Sequence, residues 1–589
     1  MRIITLLSIT VAQVARPISG HRAPLAEQEA PGIPGKPNFV IILADDMGFS
    51  DLGCYGGEIR TPNIDALAAA GLRYTQMYNS ARCCPSRAAL LSGLHPHQAG
   101  IGWMTFGGLS NSSPPGTWVS MLEQRGRYQG YLDESCSTIA DVLRPAGYRT
   151  MLSGKWHLGG DVKPSEIDLF DPARPGPPVT PLQRGFDDFW GLYGGAANYY
   201  SPRILMDGYD IVDVEDPAFY LTDAITSHAV GMIDTAASAQ TPFFLYLAYT
   251  APHWPLHALE EDIARYERAF RAGWDQIRAG RHERLRDAGL LDPRWQISAR
   301  DPDSYPFADA RYPEWEAMRM AVYAAQIDRM DQGVGRVVDH LRARGLLDDT
   351  VILVCSDNGG SSEFLQEEAE VEGAERYRGS TMDGQPVRIG NIPELAPGGP
   401  ATFMSYDLPW ANASNSPFRR FKSWVHEGGI STPLVVHWPR GIPQPGIRTS
   451  PVHFTDVLPT LAELAGATIP TERDGIELQP VEGQSFVPSF GRTDWRRERP
   501  LWFEHEGNRA LRDEVWKLVL RHPGRWELYN IEDDRTETSD LADKEPSRVK
   551  RMAQEWEETA ARVGVRPDLS RIWDSIAQWH ARNAPSMRR

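Results

Sequence analysis

The chain is short of cysteine, with five in 589 residues, at positions 54, 83, 84, 136 and 355. Five scattered thiols, two of them adjacent, make no disulfide framework, and they leave the cellular compartment undecided. Basic character is lacking too. A net charge of −17 and a pI of about 5.4 argue against nucleic acid as a partner. They do not forbid an anionic substrate, because a cleft can be positive on an acidic protein. Long apolar runs are also missing. Arg2 precedes a mostly apolar stretch, residues 3–14, that is too short to span a bilayer. It has the pattern of a signal peptide with cleavage near Ala15 or Gly20, which predicts a periplasmic or secreted protein; the alternative is a disordered leader on a cytoplasmic one. Residues 21–36, rich in Pro, Gly, Ala and Glu, read as a flexible lead-in. No stable membrane span and no internal repeat are expected. What is present, 41% hydrophobic and 24% charged residues, suits a globular chain long enough for a large core and more than one domain.

Apolar runs alternate with amphipathic helical patterns, which predicts an α/β fold with a parallel sheet. Three runs read as buried strands: Phe39-Val40-Ile41-Ile42-Leu43, Phe243-Phe244-Leu245-Tyr246-Leu247 and Val351-Ile352-Leu353-Val354-Cys355. Ile327, Met330, Val334, Val337, Val338 and Leu341 fall at helical spacing before the third. The first run stops at Asp45-Asp46, the second runs out at Ala251-Pro252-His253, and the third ends at Asp357-Asn358. Open α/β sheets bind ligands at the carboxyl ends of their strands, so three such endings point to one shared site. Asp45, Asp46, Asp357 and Asn358 offer only oxygen ligands, which suits a hard cation, Ca²⁺ or Mg²⁺, rather than Zn²⁺.

The most specific segment is Cys83-Cys84-Pro85-Ser86-Arg87-Ala88-Ala89-Leu90-Leu91-Ser92-Gly93. The cysteine pair reads as exposed. In the pattern Cys-x-Pro-x-Arg the first position is Cys83, because Ser86 lies two residues after Cys84. This run resembles the signature of the type I, formylglycine-dependent sulfatases, arylsulfatase-like. Residues 147–157 resemble the second signature of that family, and the resemblance extends through 45–53, Thr61-Pro62-Asn63, Arg184-Gly185-Phe186, 194–200 and Glu527-Leu528-Tyr529-Asn530.

The resemblance implies an alkaline-phosphatase-like fold: a large mixed, mainly parallel sheet flanked by helices, with a smaller C-terminal domain of antiparallel sheet plus helix. It implies hydrolysis of aryl, alkyl or carbohydrate sulfate monoesters. A maturation enzyme would convert Cys83 to formylglycine, and one divalent cation, Ca²⁺ first and Mg²⁺ second, would sit on Asp45, Asp46, Asp357 and Asn358. Arg87 would steady the modified residue and the metal cluster. Lys155 and Lys422 would neutralise sulfate oxygens, Asp357 would take a proton from the hydrate, His253 with Lys422 would protonate the leaving alcohol, and His157 would collapse the hydrate afterwards. On an extended chain Lys155 and His157 point the same way. His426 reads as structural. Alkaline phosphatases and phosphonate hydrolases typically carry His after this Asp, so Asn358 favours sulfate esters. A phosphonate or phosphodiester hydrolase on the same fold is the alternative, and a non-catalytic sulfated-glycan binder is a second.

The expected organisation is a leader over 1–36, a catalytic domain over 37–489 and a C-terminal subdomain over 490–589. Residues 509–512, 516–520 and 526–529 alternate like antiparallel strands, and 549–563 reads as a helix with Met552, Trp556 and Ala560 on one face. Residues 361–417 read as an insertion at the mouth of the site. Trp103, Trp156, Trp254, Tyr199 and Tyr200 are candidates for an aromatic or sugar pocket, or for core. Asn111 and Asn412 head short glycosylation patterns of low specificity.

Overall fold

The computed structural model describes residues 35–105, 126–160, 179–366 and 380–583. The expected leader, apart from Gly35 and Lys36, and Asn111 lie outside these residues. The first strands are β1 (Asn38–Ala44), β2 (Leu72–Tyr78), β3 (Arg149–Gly154), β4 (Asp188–Leu192), β5 (Leu205–Asp207), β6 (Asp210–Val212), β7 (Phe243–Ala248) and β8 (Thr350–Ser356). There follow β9 (Arg388–Ile389), β10 (Thr402–Phe403), β11 (Ser431–His437), β12 (Gly446–Arg448) and β13 (Val452–His453). The main sheet runs β12-β2-β11-β8-β1-β7-β3-β4-β5-β6, with β13 beside β2, while β9 and β10 pair separately. Its centre, β8-β1-β7-β3-β4, is parallel throughout. Only β11 and the edge strands β5 and β6 run against their neighbours.

The period-2 geometry of a strand explains why β1 is apolar end to end. Val40 and Ile42 face a core shared with the helices Leu221–Ser238 and Pro313–Ala343. Phe39, Ile41 and Leu43 face a second core shared with the helix Cys83–Ser92 and Val457–Ala465. A strand covered on both faces has no solvent side to mark with polar residues. The helix expected before β8 is Pro313–Ala343, and all six periodic residues on it are buried.

Beyond a short β14 (Glu472–Arg473) and β15 (Ile476–Glu477) pair, the C-terminal part is a four-stranded antiparallel meander: β16 (Leu501–His505), β17 (Asn508–Asp513), β18 (Trp516–Leu520) and β19 (Trp526–Asn530). The first of these was not read from the sequence. One face puts Leu501, Phe503, Ala510 and Val519 against Tyr78, Val425 and Ile430 of the main body. The other puts Trp502, Leu511, Leu518 and Leu528 under Met552, Trp556 and Ala560 of the helix Pro546–Val563. Among the described residues no helix is long and apolar enough to cross a membrane.

Candidate active site

Sheet order brings the candidate residues together. β8, β1, β7 and β3 are parallel neighbours, so the loops after them emerge side by side. Backbone bonds knit these loops beyond the ladders: Asp357 N–H to Ala44 O at 3.1 Å, Asp45 N–H to Ala251 O at 3.0 Å and Lys155 N–H to Ala248 O at 2.8 Å. Because β11 is antiparallel to β8, the segment leading into it, which carries Lys422, arrives at this same edge. β2 pairs with the far side of β11 and delivers Cys83 at the first turn of the helix Cys83–Ser92.

The carboxylates and cations interlock. Arg87 donates to Asp357 Oδ2 from Nε at 2.9 Å, and its Nη1 reaches the Lys155 carbonyl at 3.0 Å. Its Nη2 lies 2.8 Å from Asp357 Oδ2 and 3.5 Å from Asp45 Oδ2. Lys155 Nζ donates to Asp45 Oδ2 at 2.5 Å, and Lys422 Nζ to Asp46 Oδ2 at 2.9 Å. Asn358 Nδ2 donates to Asp46 Oδ1 at 2.6 Å, and the Asp46 N–H to Asp357 Oδ1 at 3.2 Å. Burial pushes the Asp357 carboxyl up to about 8, with the charge of Asp45 adding to the effect. Burial likewise raises Asp45 to about 6, against the pull of Lys155 and Arg87.

The donor set fits a hard cation. Asp45 Oδ1 and Asn358 Oδ1 are buried oxygens without a hydrogen-bond partner. An orphaned buried acceptor costs free energy that a cation would recover. Asp45, Asp46 and His253 each bring a ligand atom within 4.8 Å of one another, so His253 stands closer to the acidic group than the oxygen-only expectation placed it. Its Nε2 lies 3.4 Å from Asp46 Oδ2.

Cys83, Cys84 and His157 form the adjoining group, with their ligand atoms within 4.8 Å of one another. The cysteine pair is buried rather than exposed, at 2% and 0% exposure, because the helix start is packed under the sheet edge. The neighbouring Cys84 thiol, helped by Lys155 and His157, holds the Cys83 thiol well below its ordinary range. Burial takes the His157 imidazole down to about 4. The extended geometry expected for Lys155 and His157 does not occur: β3 ends at Gly154, and His157 is left-handed, at φ 58°. The turn still brings His157 to Cys83, while Lys155 reaches the neighbouring Asp45. It has room because Gly195 has no Cβ, which would stand 2.7 Å from the His157 ring. Asp46 and Ser423 are also left-handed, at φ 68° and 77°; non-glycine residues in that region concentrate at functional sites.

His253 is held from both sides. Its Nδ1 faces the Trp254 carbonyl at 2.6 Å, and the Tyr199 hydroxyl donates to the His253 carbonyl at 2.9 Å. Burial takes this imidazole down to about 4 in the free site. His426 is buried away from the cluster, 3.7 Å from Glu527, as a structural residue.

Trp156 and Tyr199 are core rather than pocket walls: the Trp156 indole donates to Val179 O at 2.8 Å. Trp103 is buried against Glu506 at 2.9 Å, and Tyr200 donates to Ala258 O at 2.7 Å. Trp254, half-buried, does border the cleft. Asn412 is 1% exposed inside the helix Asp407–Ser414 and cannot serve as a glycosylation acceptor in the folded chain. Two charged neighbours of the cluster were missed. Arg82 and Glu363 lie 2.8 Å apart, and Glu363 Oε2 also accepts from Lys422 at 3.0 Å. The signal available for Glu363 was a carboxylate six residues beyond Asp357 in the same strand-end loop. A separate hollow of about 480 Å³ beside Trp190 and His228 contains none of these residues.

Comparison with known proteins agrees with this geometry. The sulfatase family model matches residues 37–467, and the model of the N-sulphoglucosamine sulphohydrolase C-terminal region matches 419–562. An uncharacterized sulfatase of Schizosaccharomyces pombe is 30% identical over 555 residues, covering 90% of this chain and 94% of its own. The arylsulfatase of Klebsiella aerogenes is 30% identical over 456 residues, with 73% and 87% covered. The solved structure of Ps i-CgsB in complex with k-i-k-neocarrahexaose is 26% identical, with a TM-score of 0.60 and coverage of 89% and 93%. The phosphonate monoester hydrolase of Agrobacterium radiobacter shares the fold at a TM-score of 0.51 and 19% identity. With its strand-end carboxylates, the Cys83 helix start and the converging lysines, the chain belongs to the sulfatase family and is a sulfuric ester hydrolase.

Proposed function

We propose that this sulfatase hydrolyses sulfate monoesters through a formylglycine at position 83 and one divalent cation, Ca²⁺ before Mg²⁺, held by Asp45, Asp46, Asp357 and Asn358. The observation that carries the reading is the pairing of two clusters, Cys83 with His157 and Asp45 with Asp46 and His253, with Lys155 on Asp45, Lys422 on Asp46 and two orphaned oxygens, on Asp45 and Asn358, left for a cation. Formylglycine would supply a hydrate hydroxyl as nucleophile, and the cation would draw charge from the sulfuryl oxygens. Lys155 and Lys422 neutralise those oxygens in a dry cleft, where fixed charges act strongly. Asp357 would take the hydroxyl proton, while Arg87 keeps its carboxylate aimed. Both nitrogens of His253 face acceptors, an arrangement that the imidazolium satisfies, and an arriving sulfate adds a further negative charge in favour of that form. Protonated there, His253 donates to the leaving alcohol. His157, kept neutral by burial, takes the proton whose loss collapses the sulfated hydrate.

The buried position of Cys83 supports modification before the helix start packs, by a formylglycine-generating or other maturation enzyme. The proposed division assigns the chemistry to residues 37–489 and support to 490–589, and the apolar stretch at 3–14 supports export. Sulfated carbohydrates are the first substrates to try, because the Ps i-CgsB relative was solved with a neocarrahexaose.

The test pairs a mass spectrum of the peptide around Cys83 with turnover of sulfate and phosphate esters side by side. The expected result is an aldehyde at position 83 and preference for sulfate. Cys83→Ala should abolish turnover with the fold retained, and Cys84→Ala should be mild. Undiminished turnover in Cys83→Ala would sink the reading, and a preference for phosphonate or phosphodiester would move it to the alternative.

A further inference from the structure

Glu363 sits at the entrance of the cleft, its side chain one-quarter exposed, at 25%, above cations that are nearly sealed: Lys422 at 2% and Arg82 at 11%. One carboxylate oxygen, Oε1, accepts from Arg82 Nη2 at 2.8 Å. The other accepts from Lys422 Nζ at 3.0 Å, the Trp254 indole at 2.8 Å and the Ser361 hydroxyl at 3.0 Å. The backbone is fixed as well, since Ser405 Oγ donates to the Glu363 carbonyl at 2.6 Å.

Two consequences follow for the residues it touches. An ammonium has three donors. Lys422 spends one on Asp46 Oδ2 and one on Glu363 Oε2, which leaves the third directed by the other two. Trp254 is the neighbour of His253 and accepts from its Nδ1, so the indole bond to Glu363 anchors the loop that carries the proton donor. Charge gives the second consequence. Arg82, Arg87, Lys155 and Lys422 balance Asp45, Asp46, Asp357 and Glu363. A divalent cation on the aspartates then leaves a surplus of positive charge facing the sulfate, and without Glu363 that surplus would be larger by one.

We propose that Glu363 is a positioning residue: it aims Lys422 and the His253 loop at the ester, and its charge keeps the cleft from retaining inorganic sulfate. This deepens the sulfatase reading and rests on it. The experiment compares wild type, Glu363→Gln and Glu363→Asp in the calcium-loaded full chain. It measures kcat and KM on an alkyl sulfate, the dissociation constant of inorganic sulfate by calorimetry, and Tm. Loss of a charged hydrogen-bond partner predicts a fall in kcat of about 10- to 100-fold in Glu363→Gln. Removal of a unit charge a few ångströms away predicts sulfate binding tighter by about tenfold or more. Glu363→Asp, which keeps the charge, should hold sulfate affinity near wild type and restore part of kcat. A sulfate affinity that stays unchanged in Glu363→Gln, or weakens together with kcat and Tm, would reduce Glu363 to a structural prop and overturn the proposal. If wild type turned over no sulfate ester, the sulfatase reading would fall, yet the affinity comparison needs no turnover and would still decide what the Glu363 charge does.

Discussion

Arg87 grips Asp357 with two nitrogens on one oxygen, Nε at 2.9 Å and Nη2 at 2.8 Å, and neither side chain has any exposure. The pair joins the helix that begins at Cys83 to the end of β8, so the proposed nucleophile position and a proposed cation ligand share one rigid link. Removing one partner of a buried pair leaves an uncompensated charge, which costs about 3–5 kcal/mol. Arg87→Ala should therefore lose both activity and roughly that much stability in denaturant unfolding. Arg87→Lys should fold better and remain poorly active, because a lysine cannot serve Asp357, Asp45 and the Lys155 carbonyl together. Wild-type stability in Arg87→Ala would show that the link carries no load.

Cation binding and pH should be coupled. Asp357 and Asp45 are raised by burial, to about 8 and about 6, from an ordinary 3.8. The metal-free folded chain therefore binds more protons than the unfolded chain between pH 4 and 8, and stability falls as pH rises across that window. A cation displaces those protons and recovers the loss. Chelation should abolish turnover, and the rise in Tm on adding Ca²⁺ should be larger at pH 8 than at pH 5; at 100 times its dissociation constant the ion contributes about 2.7 kcal/mol. A calcium shift independent of pH, or restoration by Zn²⁺ alone, would contradict the ligand assignment.

The two active-site histidines should separate by leaving group. General acid catalysis is worth ~10²–10⁴-fold, and it matters least for an activated nitrophenyl ester. His253→Ala should lose far more rate on an alkyl or sugar sulfate than on nitrophenyl sulfate. In the proposed mechanism His157 acts after the alcohol departs, so His157→Ala should slow both substrates toward one rate and let sulfated enzyme accumulate, visible by mass spectrometry. Equal losses across leaving groups for His253→Ala would remove it from the acid role.

The C-terminal sheet is tied to the catalytic part through buried charge. Lys517 on β18 lies 2.8 Å from both Glu427 Oε1 and Glu537 Oε1, and Arg535 Nε lies 2.8 Å from Glu427 Oε2, all without exposed side-chain surface. Glu427 opens the turn that leads into β11, just after the Lys422 segment. Lys517→Met should cost about 3–5 kcal/mol by leaving Glu427 and Glu537 short of a partner. It should also lower activity through Lys422; a melting curve and a rate on the same preparation check both.

Local pattern carried the candidate ligand positions. Apolar strands buried on both faces carry no polar residue until they end, so Asp45-Asp46, His253 and Asp357-Asn358 stand out at those ends, although the folded chain buries them too. The run from Cys83 to Gly93 marks itself by composition. The antiparallel segments and the helix at 549–563 follow from periods of 2 and 3.6. The edge strand β16 was not read, since Leu501-Trp502-Phe503-Glu504-His505 lacks a clean alternation: its apolar residues are buried on both faces.

By itself, then, the sequence determined most of the elements, the oxygen-rich strand ends and the cysteine run at 83–93, because each is written in neighbouring residues. Only the tertiary structure decided what depends on strand order. Lys422 reaches Asp46 across 376 residues because β11 runs against β8. Burial of Cys83, the left-handed turn at His157, and the assignment of Trp156 and Tyr199 to core arise from packing that no local pattern records. Glu363 belongs to this second group: its role is set by Arg82, Trp254 and Lys422, three groups that sheet topology brings to one carboxylate.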